Sequence, residues 1–247
     1  MKDRLQAIAA AFAAAMLCLN AAAVEVTEDT TVSLTANSDT SYEIADGVTL
    51  TIDVTGMTNT LSGCITGTGT AKLRKTGLGT LVLSNGNNVI PDGIDVAQGT
   101  IRADAQGCLG DGVITISQTT ANRGQVHFNV ANATFGNVIS ITGSAGSTFN
   151  ASSPYALKFS KSVTLTGNIT SSGTYTSFWN DDVSGLTVTF DGDVTCSASS
   201  NRLYLRPSGI FVFNGALTAN RFQGRQFRHI VIQSGVSEQS TKRHNLS

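Results

Sequence analysis

The 247-residue chain has few of the residues that build helices and charged surfaces. Charged residues make up 13% of it and aromatic residues 6%, and it has 3 prolines and 1 tryptophan. A net charge of −1 at pH 7 argues against nucleic-acid binding. In contrast, Thr, Ser, Asn and Gly supply 99 of the 247 residues, and these types favour strands and turns. The composition therefore predicts an all-β protein and disfavours helical bundles, coiled coils and doubly wound α/β enzymes.

Long apolar runs are also scarce, and the one that stands out lies at the amino terminus. Lys2 and Arg4 precede an apolar run over residues 8–19, and Ala21-Ala22-Ala23 follows. A basic start, a short apolar core and small residues at a cleavage site are typical of a secretory signal peptide. We therefore predict a signal peptide over residues 1–23 and a mature protein that is secreted or displayed on the cell surface.

Cysteine and histidine are too sparse to indicate a metal site or a disulfide framework. Three cysteines remain after the predicted cleavage: Cys64, Cys108 and Cys196. The three histidines are isolated in sequence: His127, His229 and His244. No CxxC pair or Cys/His cluster is present, so we expect the cysteines to fill the core and the protein to bind no metal and no cofactor.

From residue 24 onward the chain consists of short alternating runs closed by Gly, Asn or Asp. Segments that begin at Val163, Leu186 and Ile210 align without gaps at steps of 23 and 24 residues. An antiparallel sandwich would need a tight turn every 8–12 residues, whereas a β-helix repeats once per coil at about this step. The spacing predicts a right-handed parallel β-helix over residues 24–220, with nine or ten coils and an amino-terminal cap near residues 24–42.

The same alignment predicts which side chains face the core. Side chains alternate along a strand, so Ile210 and Val212 are expected to point inward in the third segment. Phe211 and Phe213 are then expected on the outer surface, in the column that Thr164 and its neighbours begin.

Residues 67–116 contain a motif with several ordered parts. Lys75-Thr76-Gly77-Leu78-Gly79-Thr80-Leu81 is followed by Leu83-Ser84-Asn85-Gly86-Asn87, then by Val96-Ala97-Gln98-Gly99-Thr100-Ile101. This order resembles the autotransporter-associated β-strand repeat of bacterial secreted and surface proteins. The resemblance implies a non-catalytic scaffold that aids secretion. The motif residues with predicted structural roles are Gly77, Gly79, Leu81, Leu83, Asn87 and Gly99.

That family also carries a membrane β-barrel at its carboxy terminus, and no such pattern precedes Ser247. We therefore expect either a relative without a barrel or a piece of a longer protein, with outer-membrane association only through a missing or separate barrel. Residues 201–247 hold 7 Lys and Arg against one Glu, while residues 24–200 hold 7 against 15 acidic residues. We interpret residues 221–247 as a poorly patterned basic tail, and contact of this tail with an anionic polysaccharide is the alternative.

Parallel β-helices also host polysaccharide lyases and hydrolases, which need clustered carboxylates. The candidates here are Asp181-Asp182 and Asp191 with Asp193. Their loop settings indicate turn residues, so we predict no catalytic site, with a carbohydrate-active enzyme as the alternative. The expected partners are a surface polysaccharide or a host or matrix protein, with an adhesin-like role, and not a nucleic acid.

Overall fold

A computed structural model describes residues 22–119, 123–143, 155–181, 185–198, 201–206, 209–219, 221–223 and 230–232. Within these ranges the chain is all-β, without a helix, and its parallel strands stack as a β-solenoid of about seven turns. The predicted parallel β-helix is therefore confirmed. The chain divides into two compact units, Met1–Thr115 and Ile116–Ser247, called here the amino-terminal and carboxy-terminal units.

The amino-terminal unit is built from short strands in which apolar and polar residues alternate. In Thr49–Asp53, Leu50 and Ile52 are fully buried while the residues between them are half-buried. This alternation follows from the period of two along a strand. The strands of this unit are β1 (Val24–Val26), β2 (Thr30–Ser33), β3 (Tyr42–Ile44), β4 (Thr49–Asp53), β5 (Thr58–Leu61), β6 (Ile65–Gly67), β7 (Lys72–Thr76), β8 (Thr80–Leu83), β9 (Ile94–Val96) and β10 (Gly99–Ala103).

These strands form three parallel columns, with orders β1-β3-β6, β2-β4-β7-β9 and β5-β8-β10. Each coil contributes one strand to a column. Thr49 pairs with Lys72, which is a step expected from the sequence, whereas Thr80 pairs with Thr100 at a shorter step. The next strand, β11 (Ile114–Ser117), contains the boundary between the two units.

The carboxy-terminal unit is built in the same way and also has three parallel columns. Their orders are β12-β15-β18-β21-β24, β13-β16-β19-β22-β25 and β14-β17-β20-β23. The strands are β12 (Gly124–Phe128), β13 (Ala133–Phe135), β14 (Ile139–Thr142), β15 (Leu157–Phe159), β16 (Val163–Leu165), β17 (Ile169–Ser171), β18 (Tyr175–Asn180), β19 (Thr187–Phe190), β20 (Val194–Cys196), β21 (Arg202–Arg206), β22 (Ile210–Phe213), β23 (Leu217–Thr218), β24 (Arg221–Gln223) and β25 (Ile230–Ile232).

The coils are not uniform in length, and the described residues form about seven turns, fewer than the nine or ten expected. Val126 on β12 pairs with Leu157 on β15, and Leu157 pairs in turn with Phe178 on β18. The first of these two intervals is about half as long again as the second. The step between coils therefore varies along the chain, and a single uniform step does not describe it.

The observed register corrects the predicted exposure of two phenylalanines. Val188 pairs with Phe211 and Phe190 with Phe213, whereas the sequence alignment paired Leu186 with Ile210. That alignment was one residue out at this step, and a slip of one residue exchanges the two faces of a strand. The prediction that Phe211 and Phe213 lie outside is therefore wrong, and both are 0–1% exposed. The ring of Phe213 stacks on that of Phe190 with centroids 4.7 Å apart.

Parallel pairing continues beyond residue 220. The strand β24 pairs with β21, and β25 pairs with β22. The rest of the predicted basic tail lies outside the described residues, as do residues 1–21 of the predicted signal peptide. Among the residues that the structure describes, no helix has the length and apolar character needed to span a membrane.

Candidate functional site

Most motif residues predicted to be structural occupy coil corners or the core of the amino-terminal unit. Gly77 and Gly99 have φ values of +74° and +72°, in the left-handed region that favours glycine. A Cβ at Gly99 would lie 2.3 Å from the carbonyl oxygen of Gly77, and one at Gly79 would lie 2.5 Å from that of Met57. The motif glycines therefore let successive coils approach each other closely.

The other motif residues divide between the core and the surface. Leu81 and Leu83 are fully buried, and Val82, on the opposite face of β8, is 1% exposed. Asn87 is exposed, and its backbone N–H donates to Oδ1 of Asn85. The neighbouring Asn88 is instead the buried asparagine of this turn.

Asn88 joins three coils through its side-chain amide. Its Oδ1 accepts a hydrogen bond from the Ile65 N–H at 2.9 Å, and its Nδ2 donates to the Cys108 carbonyl at 2.7 Å. The sequence marked this segment as a turn but gave no signal that separates Asn88 from Asn87, because both are asparagines in one polar cluster.

Lys75 is a buried lysine whose role the sequence did not indicate. Its side chain is fully buried, and its Nζ donates to the carbonyls of Thr76 at 2.5 Å, Gly77 at 2.7 Å and Gln98 at 3.1 Å. Burial lowers the pKa of Lys75 from 10.5 to about 8, although the charge of Asp53 acts in the opposite direction. The amine therefore joins two corners of the repeat motif, those at Gly77 and at Gly99.

Two of the acidic candidates bond to the following coil. Oδ1 of Asp191 accepts a hydrogen bond from Nδ2 of Asn214 at 2.7 Å, and Oδ1 of Asp193 accepts one from the Ala216 N–H at 2.8 Å. These contacts agree with the interpretation of both residues as turn residues. A third candidate, Asp182, lies outside the described residues.

The fourth candidate, Asp181, belongs to a polar network on the outer face of the carboxy-terminal unit. Ser160 Oγ donates to Asp181 Oδ2, and Lys158 Nζ lies 3.2 Å from Oδ1 of the same carboxylate. Nε2 of His127 lies 2.6 Å from Ser160 Oγ. Three successive strands position this network, because His127 is paired with Lys158, and Lys158 with Trp179.

The charge state of Asp181 fixes the direction of these hydrogen bonds. Partial burial raises its pKa, but hydrogen bonds from Ser160 and Lys158 and the charge of Lys158 outweigh it, so the pKa is lowered. Asp181 is therefore ionised at neutral pH and accepts the single Ser160 proton, which leaves His127 Nε2–H as the donor to Ser160. In this arrangement His127 cannot take a proton from Ser160, as the base of a nucleophilic serine must.

Aromatic rings flank the network. Trp179 lies against Tyr155 with ring centroids 5.5 Å apart. The Arg202 guanidinium carbon lies 5.7 Å from the centre of the Tyr175 ring, and the ring of Tyr204 stacks on that of Tyr175 with centroids 6.1 Å apart. Tyr155, Tyr175 and Trp179 are half-buried, so each ring retains surface toward solvent, whereas Tyr204 is 3% exposed.

These residues lie on or beside one sheet, formed by β12, β15, β18, β21 and β24, which we call the basic sheet. Its strands hold four cations and no Asp or Glu: Lys158, Arg202, Arg206 and Arg221. The described strands of the other two columns of this unit contain no charged residue. Sequence reasoning missed this face because its residues come from separate coils and are far apart along the chain.

The described cysteines lie in the core. Cys64, Cys108 and Cys196 are 0–4% exposed, and the thiols of Cys108 and Cys196 are free. Burial raises the pKa of Cys108 to about 11 and that of Cys196 to about 12.

Of the histidines, His229 and His244 lie outside the described residues. Among the residues that the structure describes, no three His, Cys, Asp or Glu side chains are grouped as metal ligands would be.

Comparison of the chain with protein-family models, with curated proteins and with solved structures finds no match.

Proposed function

We propose that this protein is an exported β-solenoid scaffold of autotransporter-passenger type, which works at the cell surface or in the extracellular medium through adhesin-like contacts and without catalysis. The observation that carries the proposal is the structural role of the motif at residues 67–116. Its glycines, its leucines and Lys75 join one coil to the next, as expected of a structural element. The amino-terminal segment from Lys2 to Ala23, typical of a signal peptide, supports export.

The acidic residues support the non-catalytic part of the proposal. A glycosidase acid needs a raised pKa, so that it holds a proton at neutral pH. Asp181 has a lowered pKa, and Asp191 and Asp193 accept hydrogen bonds from the neighbouring coil. Asp181 therefore lacks the environment of a general acid, and the hydrogen bonds of Asp191 and Asp193 join them to the next coil.

Export is tested by expressing the full-length chain in a bacterial host and determining the amino terminus of the purified product by mass spectrometry. We expect a mature chain that begins at Val24 and is recovered from the medium or digested by protease added to intact cells. A control with Lys2→Glu and Arg4→Glu, which remove the basic start, should reduce processing. An uncleaved chain retained in the cytoplasm would contradict the proposal.

The second candidate function is that of a carbohydrate-active enzyme, favoured by the His127–Ser160–Asp181–Lys158 network. Its test is incubation of the purified chain with acidic and neutral polysaccharides while new reducing ends and unsaturated uronates are measured. We expect no product. Product that forms with the wild type and disappears with Asp181→Asn would establish the enzyme in place of the scaffold.

A further inference from the structure

We propose that the outer face of the basic sheet binds an acidic polysaccharide, with Tyr155, Tyr175 and Trp179 stacking on sugar rings and Lys158 and Arg202 contacting carboxylates. This inference rests on the proposed function as an extracellular interaction scaffold and deepens it by naming the binding face and the class of ligand.

The first support is the distribution of charge. In the amino-terminal unit the solvent-facing cations on strands are paired with aspartates: Lys72 with Asp92, Arg74 with Asp95, and Arg102 with Asp104. On the basic sheet four cations stand on strands that contain no acidic residue, and Asp181, just after β18, pairs with Lys158. Among the side chains that the structure describes on this face, Lys158 and Arg202 outnumber Asp181, so the complementary ligand is an anion.

The second support is the presence of aromatic rings among these cations. Trp179 and Tyr155 form one pair, and Tyr175 forms a second platform next to Arg202. A sugar ring has an apolar face of C–H groups and a polar rim, so it can stack on an aromatic ring while its rim reaches neighbouring polar groups. Tyr and Trp suit such a surface because each combines an apolar ring with a polar tip. Free phosphate or another small anion has no apolar face, so its binding would gain nothing from these rings.

The third support is the repetition that the solenoid imposes. His127, Lys158, Trp179 and Arg206 occupy one register position on four successive strands. Neighbouring strands are about 4.8 Å apart, so this row advances by a constant step, close to the length of one sugar unit. A linear polymer presents equivalent groups at a regular interval, so it can contact several coils at once and gain avidity. A partner without a regular repeat would lack this match.

The experiment uses polygalacturonate as the acidic probe and its fully methyl-esterified form as the matched neutral polymer. Trp179 is the one tryptophan of the chain, so its fluorescence reports directly on the proposed face. We expect polygalacturonate to change the intensity or wavelength of Trp179 emission in a saturable way and the methyl ester to have little effect. Added salt should weaken binding, because exposed charges are screened.

Variants of the full-length chain locate the site. Arg202→Gln should weaken binding at least about threefold, and Tyr175→Ala at least about tenfold, as for residues central to an interface. Arg74→Gln removes one exposed cation from the amino-terminal unit and should change affinity by less than about twofold. Circular dichroism checks the fold. Arg202→Gln keeps the test valid if Tyr175→Ala does not fold, because it changes only the head group of a surface side chain.

Several results would overturn the inference: no binding to polygalacturonate, equal binding to the methyl ester, binding without any change in Trp179 fluorescence, or equal losses in Arg202→Gln and Arg74→Gln. Equally tight binding of single-stranded DNA would identify a general polyanion surface and would also overturn it. Binding is measured on purified protein, so the two proposals can fail separately. Failure of export would contradict the proposed function and leave the binding result standing. Failure of binding would contradict this inference and leave the export result standing.

Discussion

At the residue scale, Lys75 shows how a charged side chain can hold a corner of the solenoid. Its amine is fully buried, and it donates to the carbonyls of Gly77 and Gln98, which belong to neighbouring coils. A buried charge is tolerated where carbonyl oxygens replace water as hydrogen-bond partners. The lysine of the repeat motif therefore has a structural explanation.

Lys75→Met should destabilise the protein by about 1–3 kcal/mol at pH 7, because buried carbonyls lose their donor. The difference between wild type and variant should also depend on pH. The pKa of Lys75 is about 8 in the folded chain and near 10.5 when unfolded, so between these values the unfolded chain binds more protons. The unfolding free energy of the wild type should therefore rise with pH across this window. Urea unfolding of both proteins at pH 7, 8, 9 and 10 measures this, and a constant difference would contradict it.

Gly99 supplies a second prediction at this scale, with Gly47 as a matched control. Both have positive φ, +72° and +76°, but a Cβ at Gly99 would lie 2.3 Å from the Gly77 carbonyl, whereas one at Gly47 has no atom within 4 Å. Gly47→Ala should cost about 1–2 kcal/mol from backbone strain alone. Gly99→Ala should cost about 2–5 kcal/mol, because overpacking adds to the strain. Equal losses in urea unfolding would show that the close approach of coils at Gly99 has no energetic importance.

At the scale of the strand, register decides which side chains enter the core. In β22, Phe211 and Phe213 pack inside, while Ile210 and Val212 are half-buried on the outer side. The Phe213 ring stacks on Phe190, and that of Phe211 lies 6.1 Å from the same ring. Aromatic packing of this kind along the interior adds to the free energy of burial.

The register predicts opposite effects for two neighbouring residues. Phe211→Ala should destabilise the protein by about 3–5 kcal/mol, since it leaves a cavity in the core. Val212→Thr should change stability by less than about 1 kcal/mol, since this side chain is partly solvated. Thermal or urea unfolding of each variant measures these effects. A large loss for Val212→Thr with a small one for Phe211→Ala would support the register of the ungapped sequence alignment instead.

At the scale of the whole molecule, each compact unit contains a buried free thiol, Cys108 in the amino-terminal unit and Cys196 in the carboxy-terminal unit. Burial raises the pKa of the two thiols to about 11 and about 12, so neither forms a thiolate at neutral pH. Each cysteine therefore reports on the folding of the unit that contains it.

Both thiols should resist iodoacetamide at pH 8 in the native protein and react once the chain is unfolded in urea. Pulsed labelling at increasing urea, followed by mass spectrometry of the peptides that contain Cys108 and Cys196, gives an unfolding midpoint for each unit. Rapid labelling of either cysteine without denaturant would contradict its burial.

The sequence by itself determined the kind of structure. Alternation of apolar and polar residues, as at Leu50 and Ile52, is a property of one strand and can be read locally. A tight corner also leaves a requirement at a single position of the sequence, as at Gly77, where φ is +74°. The predictions about export, family and ligand remain predictions.

Only the tertiary structure decided the register and the faces. Loop lengths vary from coil to coil, so an ungapped alignment placed Phe211 on the wrong side, and spacing alone could not have corrected it. Burial of Lys75 and the assembly of the basic sheet depend on residues that are distant in sequence and meet when coils stack. Local patterns specify each coil. Contacts between coils also depend on which residues of one coil pair with which residues of the next. That register is set by packing between coils, which no local pattern shows.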